Sequence, residues 1–297
     1  MEKVFLDAAE GYKLSLAIFP VKKAKAVIQI VHGMQEHKER YYPFAEYLND
    51  NGYAVVVSDM RGHGEDAPIL GHIADNKGED ILIDDQNKIY EYIKKNFEGL
   101  PVYLFGHSMG SIISRVLLQE YSKNYDKVIL SGYVAPNPIS GVAVLLGNIV
   151  KAGGRQKKSK FLASLALGPY SKAVKDRKTD LDWLSTNEEN VQNYIADPLC
   201  GFPFTNGSFS ALFHLLNNMG KAKRYQNVNK ELPILLAGGE DDPCTAGEKG
   251  RASSKKVLEQ AGFTNIEIAT FQGMRHEILN ETDKTSVYQR MLEFLDK

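Results

Sequence analysis

Short, almost uninterrupted apolar runs alternate along this chain with longer stretches in which apolar residues recur every three or four positions. The runs lie at residues 26–31, 53–57, 102–105 and 127–130. Strands with no polar face require a sheet covered on both sides. Between them, residues 40–51, 80–97 and 109–123 carry helical periodicity; in the second, Ile81, Ile89, Ile93 and Phe97 fall on one face. This strand–helix alternation predicts an α/β fold with a mostly parallel, doubly wound sheet. Ahead of it, residues 3–7 and 13–19 flank Ala9-Glu10-Gly11-Tyr12, the outline of an antiparallel hairpin at the sheet edge.

The alternation stops after Gly132 and resumes only at residues 232–238. Residues 135–229 are therefore expected to be a helical insertion, a cap or lid, in a core made of 1–134 and 230–297. The core should finish with a helix at 248–261, a strand at 266–271 and a helix at 283–296. Within the insertion, residues 151–160 are basic and contain two glycines, and are expected to form a solvated loop. Residues 139–150 are too apolar for a free surface loop: either they pack onto the rest of the insertion, or they line an apolar path to a site.

The composition leaves this picture unchanged. Of 297 residues, 43% are hydrophobic and 25% charged, a globular balance, and a net charge of −1 argues against a nucleic-acid partner. The N-terminus lacks the basic and apolar regions of a secretory signal, and residues 139–150 fall well short of the roughly 20 needed to cross a bilayer. A cytoplasmic protein is the expectation. The only two cysteines, Cys200 and Cys244, are then expected to be free thiols.

Gly106-His107-Ser108-Met109-Gly110 is a Gly-x-Ser-x-Gly set between an apolar strand and a helical run. A nucleophilic serine needs such a tight strand-to-helix turn, with small residues where the turn closes on neighbouring chain and a helix N-terminus facing developing negative charge. A serine hydroxyl also needs a base, and the base an orienting acid. Of seven histidines, His276 alone follows the last predicted strand. The acid is expected within Glu240-Asp241-Asp242-Pro243; Asp242 is favoured because Pro243 restricts its backbone, with Asp241 as the alternative. Backbone amides of Met34 and Met109 are the candidate oxyanion donors. His32 and His37 lack zinc-site spacing, and no phosphate- or dinucleotide-binding glycine motif occurs, so neither metal nor cofactor is expected. Arg61-Gly62-His63-Gly64 is expected to tie its loop to the core.

Several of these segments together, His32-Gly33-Met34-x-Glu36-His37, Asp59-Met60-Arg61-Gly62-His63-Gly64, Gly106–Gly110, Gly239-x-x-Asp242 and Gly273-Met274-Arg275-His276-Glu277, resemble the monoacylglycerol lipase and lysophospholipase branch of the α/β-hydrolases. Asp182-Trp183-Leu184-Ser185 and Asp197–Phe202 extend the resemblance into the insertion. It implies an α/β-hydrolase fold, a Ser108–Asp242–His276 triad with Met34 and Met109 as oxyanion donors, a small-molecule acyl ester as substrate, and transient contact of the cap with a lipid surface. Glu65-Asp66 departs from the pair that follows Arg-Gly-His-Gly in relatives, at the rim facing the cap. The same residues would also serve amide cleavage, as in iminopeptidases, or acyl transfer to another acceptor.

Overall fold

Strands without a polar side have to be buried from both faces, and that requirement organises the molecule. A computed structural model describes residues 1–297. Its strands are β1 (Glu2–Asp7), β2 (Lys13–Phe19), β3 (Val27–Val31), β4 (Ala54–Ser58), β5 (Val102–His107), β6 (Lys127–Ser131), β7 (Ile234–Gly239) and β8 (Ile266–Phe271). They form one sheet in the order β1-β2-β4-β3-β5-β6-β7-β8. β3 to β8 run parallel, whereas β2 is antiparallel to both β1 and β4, so the predicted hairpin is an edge appended to the parallel sheet. Every residue of β3, β4 and β7 is buried.

Alternate residues of these strands feed two separate apolar layers. On one face Val27, Val31, Leu104 and Leu236 pack with α2 (Gly78–Asn96), α3 (Met109–Tyr121) and α8 (Gly247–Ala261). On the other, Ile28, Ile30, Phe105 and Leu235 pack with α1 (Tyr42–Asp50) and α9 (Lys284–Asp296). Gln29 is a buried polar residue within β3; its amide donates to the backbone and side chain of Gln86 at 3.0 Å, and Tyr125 Oη donates to its carbonyl. β3 leads to β4 on one side of the sheet while β5 returns to its other side. The crevice at such a reversal, beyond the carboxyl ends of β3 and β5, is where open α/β sheets bind ligands.

Between β6 and β7 the chain forms α4 (Ser140–Ala152), α5 (Lys160–Ala173), α6 (Glu188–Ala196) and α7 (Asn206–Met219). Side chains of Ser159, Asn187 and Thr205 cap the last three at their N-termini. α7 is the buried one; it packs on α3 and α4, and a Cβ at Gly147 of α4 would stand 2.8 Å from the Phe213 ring. α5 contains Pro169. The basic stretch is, as expected, largely an exposed loop over 153–159, with Lys151 in the last turn of α4 and Lys160 opening α5. The apolar stretch 139–150 is almost entirely α4, and Ile139, Val142, Leu145 and Ile149 are 58–68% exposed along one side of it. No helix is long and apolar enough to cross a membrane.

Candidate active site

Ser108 occupies the turn from β5 into α3, with φ 50° and ψ −117°. A non-glycine residue in that region costs on the order of 1–3 kcal/mol and persists only where its surroundings impose it. They do so here: Ser108 N–H donates to the Ser131 carbonyl at 3.0 Å, and the Ser108 carbonyl accepts from the Ser111 and Ile112 amides. The flanking glycines are steric requirements. A Cβ at Gly106 would lie 2.5 Å from the Gly110 carbonyl oxygen, and one at Gly110 2.1 Å from that of Val31.

Ser108 Oγ lies 2.8 Å from His276 Nε2, and His276 Nδ1 lies 3.0 Å from Asp242 Oδ2. A neutral imidazole satisfies both contacts by donating from Nδ1 to the carboxylate and accepting at Nε2. His276 comes from the loop after β8 and Asp242 from the loop after β7, so both reach the crevice from the carboxyl edge of the sheet. Asp242 is buried and its second oxygen accepts from the Cys244 amide at 2.8 Å, whereas Glu240 and Asp241 are exposed. Burial pushes the His276 pKa down, but the charge and hydrogen bond of Asp242, with Glu277 and Glu36 behind them, push it further up; the net shift is upward.

The Met34 amide follows β3 and makes no hydrogen bond within the protein; that of Met109, first residue of α3, has no intrahelical acceptor. Gly33 brings the first loop against the serine, since a Cβ there would lie 3.2 Å from Ser108 Cβ. That loop is fastened by Glu36, which accepts from Gly33 N–H at 2.6 Å, Tyr41 Oη at 2.7 Å and Arg40 at 2.8 Å. Arg40 also makes two 2.7 Å bonds to Glu277, beside His276, and Asn190 of α6 donates to the same carboxylate. Arg40 thus joins the loop holding the free amide, the loop holding the histidine, and α6. Beneath it His107, buried against the His276 ring at 4.9 Å, is held neutral by burial, with its pKa lowered to about 3.

A cavity of about 70 Å³ lies over Ser108, and most of its 21 lining residues are apolar. Met34, Met109, Ser108 and His276 form its floor; Ala166, Leu167 and Tyr170 of α5, with Trp183 and Leu216, form its roof and walls. The Trp183 ring stands 4.9 Å from His276 and 5.3 Å from Tyr170. Cys244 lines the cavity, and burial and the Asp242 charge hold its thiol protonated. Cys200 is also a free, buried thiol. α4 contributes nothing to this cavity. Its Val142, Ala143 and Leu146 line a neighbouring apolar groove of about 360 Å³ that shares Ala166, Tyr170 and Cys244 as its wall. Val144 packs against the core cluster and Leu145 is 60% exposed, so the two neighbours serve different sides of the helix.

The other motifs have structural surroundings. Arg61 is buried and paired with Asp85; His32 Nε2 accepts the Met60 amide; His63 meets Phe202 and Phe204 edge-on. His37 bridges Glu39 at 2.5 Å and Asp197 at 2.8 Å, tying the loop after β3 to the end of α6. Two trios have metal-ligand chemistry, Asp242–Cys244–His276 and His37–Asp197–Cys200. In each, the histidine nitrogen facing the aspartate is already engaged by it.

The sequence profile of a family described as serine aminopeptidase, S33, matches residues 22–283. A monoacylglycerol lipase of Mycolicibacterium smegmatis is 24% identical, with 90% of this chain and 87% of that protein aligned. Phospholipase YtpA of Bacillus subtilis is 25% identical over 92% and 95% of the two chains. Among solved structures, a thermostable carboxyl esterase from Bacillus coagulans in complex with glycerol superposes with a TM-score of 0.92 at 24% identity, covering 99% of this chain and 97% of its own.

Proposed function

From the premise that this chain belongs to the serine aminopeptidase S33 family of α/β-hydrolases, we propose that it hydrolyses the acyl ester of a small lipid such as a monoacylglycerol or lysophospholipid. The observation that carries the reading is the unbroken hydrogen-bonded line from Ser108 Oγ through His276 to Asp242, under an apolar cavity. Ser108 Oγ attacks the ester carbonyl as its proton passes to His276 Nε2. The Met34 and Met109 amides take the developing oxyanion, a service worth about 10²–10³ in rate per donor. The carbonyl–oxygen bond then breaks, and His276 returns the proton to the departing alcohol. Water, deprotonated by the same imidazole, releases the acid. Asp242 keeps Nδ1 protonated throughout.

An ester is favoured over a peptide because an aminopeptidase has to hold a substrate ammonium group. The carboxylates at the polar end of the cavity, Glu36 and Glu277, have all four oxygens engaged by Gly33, Tyr41, Arg40 and Asn190. The names of several relatives, monoacylglycerol lipase and phospholipase among them, agree in substrate chemistry with that apolar lining. Residues 135–229 act as a cap on a core of 1–134 and 230–297, and the exposed apolar side of α4 is the face with which the cap meets a lipid surface. Lys151 and Lys160 at its edge favour anionic lipid.

Purified enzyme should be offered monoacylglycerols, lysophospholipids and p-nitrophenyl esters of graded chain length beside aminoacyl amides. Ester turnover rising with chain length is expected; preferential cleavage of the amides would overturn the reading. Product analysis with a competing alcohol separates hydrolysis from acyl transfer.

A further inference from the structure

Trp183 is the only tryptophan of the chain, and it lies buried in the turn between α5 and α6 with its ring 4.9 Å from that of His276. Hydrogen bonds on both sides of the histidine hold it there. Arg275 Nη1 donates to the carbonyls of Asp182 at 2.7 Å and Ser185 at 3.2 Å, and the Glu277 amide donates to the Leu184 carbonyl at 2.7 Å. Glu281 adds a further tie, accepting from the amides of Arg275 and Thr186 at 2.9 Å. The residues before and after His276 are thus bonded to those before and after Trp183. The two rings are kept together by these ties and not by contact alone.

The groups facing His276 differ in how they meet a positive charge on it. Asp242 on Nδ1, with Glu277 and Glu36 behind, favours the imidazolium. His107 of β5, also 4.9 Å away, is held neutral by burial and adds no like charge. Arg40 is engaged by Glu36 and Glu277, and Arg275 by the carbonyls just named. Tyr170, 5.3 Å from the indole, has its phenol pushed well above the ordinary value and stays neutral. Trp183 brings no formal charge, but its ring is within the roughly 6 Å at which an aromatic π-system attracts a cation, and a contact removed from water contributes more. We propose that Trp183 is a positioning residue: it fixes the His276 imidazole on the line between Ser108 and Asp242 and favours the imidazolium formed when Ser108 gives up its proton. The catalytic half of this assignment rests on the proposed ester hydrolysis; the contact of the indole with a titrating imidazole does not.

Because Trp183 is the sole tryptophan, its fluorescence reads this contact directly: a protonated imidazole quenches indole emission far more than a neutral one. Emission from the full-length protein should rise with pH through one ionisation between about pH 5 and 9, with the same midpoint as kcat/KM for a p-nitrophenyl ester. The transition should vanish in His276→Gln. Trp183→Leu should lower the kcat/KM midpoint by about half a pH unit or more and kcat by about tenfold, whereas Trp183→Phe, which keeps a ring, should retain most of both. The loss should fall on kcat and not on KM for a short acetyl ester, as for any interaction made with a charge absent from the ground state. Flat emission across that range in folded protein overturns the assignment. So does an equal loss in Leu and Phe variants with an unmoved midpoint, which would make Trp183 a packing residue of the cavity. Should Trp183→Leu fail to fold, the emission titration and its loss in His276→Gln decide the matter. Turnover that survives Ser108→Ala would overturn the proposed reaction instead and leave the emission result standing.

Discussion

Ser108 is held in a backbone conformation that its side chain disfavours, and Asp242 is the one acid of its loop that is buried and bonded to the histidine. Each leads to a prediction. Ser108→Ala removes the proposed nucleophile and leaves the turn's hydrogen bonds in place, so a folded protein with activity reduced about 10⁶-fold is expected, checked by circular dichroism and p-nitrophenyl ester turnover. Asp242→Asn should cost about 10⁴ in kcat, whereas Asp241→Asn, on an exposed side chain, should cost almost nothing. In the proposed mechanism His276 acts neutral, and its pKa is shifted upward, so kcat/KM should rise with pH through a midpoint above the ordinary histidine value of about 6.5. In Asp242→Asn the raising charge is gone and burial remains; the midpoint of its residual activity should move to lower pH. A profile that does not move would separate Asp242 from the histidine.

That Ser108, His276, Asp242 and Gly33 meet was legible in sequence because each follows a strand, and strand order fixes which loops meet. Arg40, Asn190, Trp183 and Tyr170 were not. Their roles depend on contacts between distant parts of the chain, such as Asn190 and Arg40 with Glu277, 87 and 237 positions away, and no local periodicity encodes such a pairing.

At the scale of elements, apolar periodicity placed α1, α2, α3, α8 and α9 within about two residues of their observed ends, because these helices bury a stripe against the sheet. α4 escaped that reading. Glycine and β-branched residues argue against a helix in 139–150, and the segment is apolar on both sides, so its period is blurred. Its outward side is now an expectation to test. Leu145→Asp/Ile149→Asp should reduce cosedimentation with phosphatidylcholine–phosphatidylglycerol vesicles about tenfold or more, since each side chain contributes on the order of 1 kcal/mol or more on burial. Hydrolysis of a dissolved acetyl ester should be unchanged. Undiminished vesicle binding would leave the exposed stripe without its proposed partner.

Across the whole molecule residues 135–229, the proposed cap, are fastened unevenly to the rest of the chain. Its α6 side is bound to the loops after β3 and β8 through Tyr194 and Gln35, His37 and Asp197, Arg40 and Asn190, Thr186 and Glu281, and the Glu277 amide with the Leu184 carbonyl. α5, which roofs the cavity, has few side-chain hydrogen bonds: Leu162 to Ser159 and Ser171 to Asp180 nearby, and Tyr170 with the Cys244 thiol in the loop after β7. Pro169 sits inside that helix and has no amide hydrogen to give to the residue four before it. The roof therefore rests mainly on apolar contact, with Tyr170 and Cys244 its one polar link to the loop after β7. In hydrogen–deuterium exchange the amides of α5 should open with a free energy well below that of α6 and α7. If opening admits substrate, Pro169→Ala, by returning one bond to the ladder, should slow both α5 exchange and the association rate of long-chain esters together. The proline is then a tuning element for how often the door is ajar.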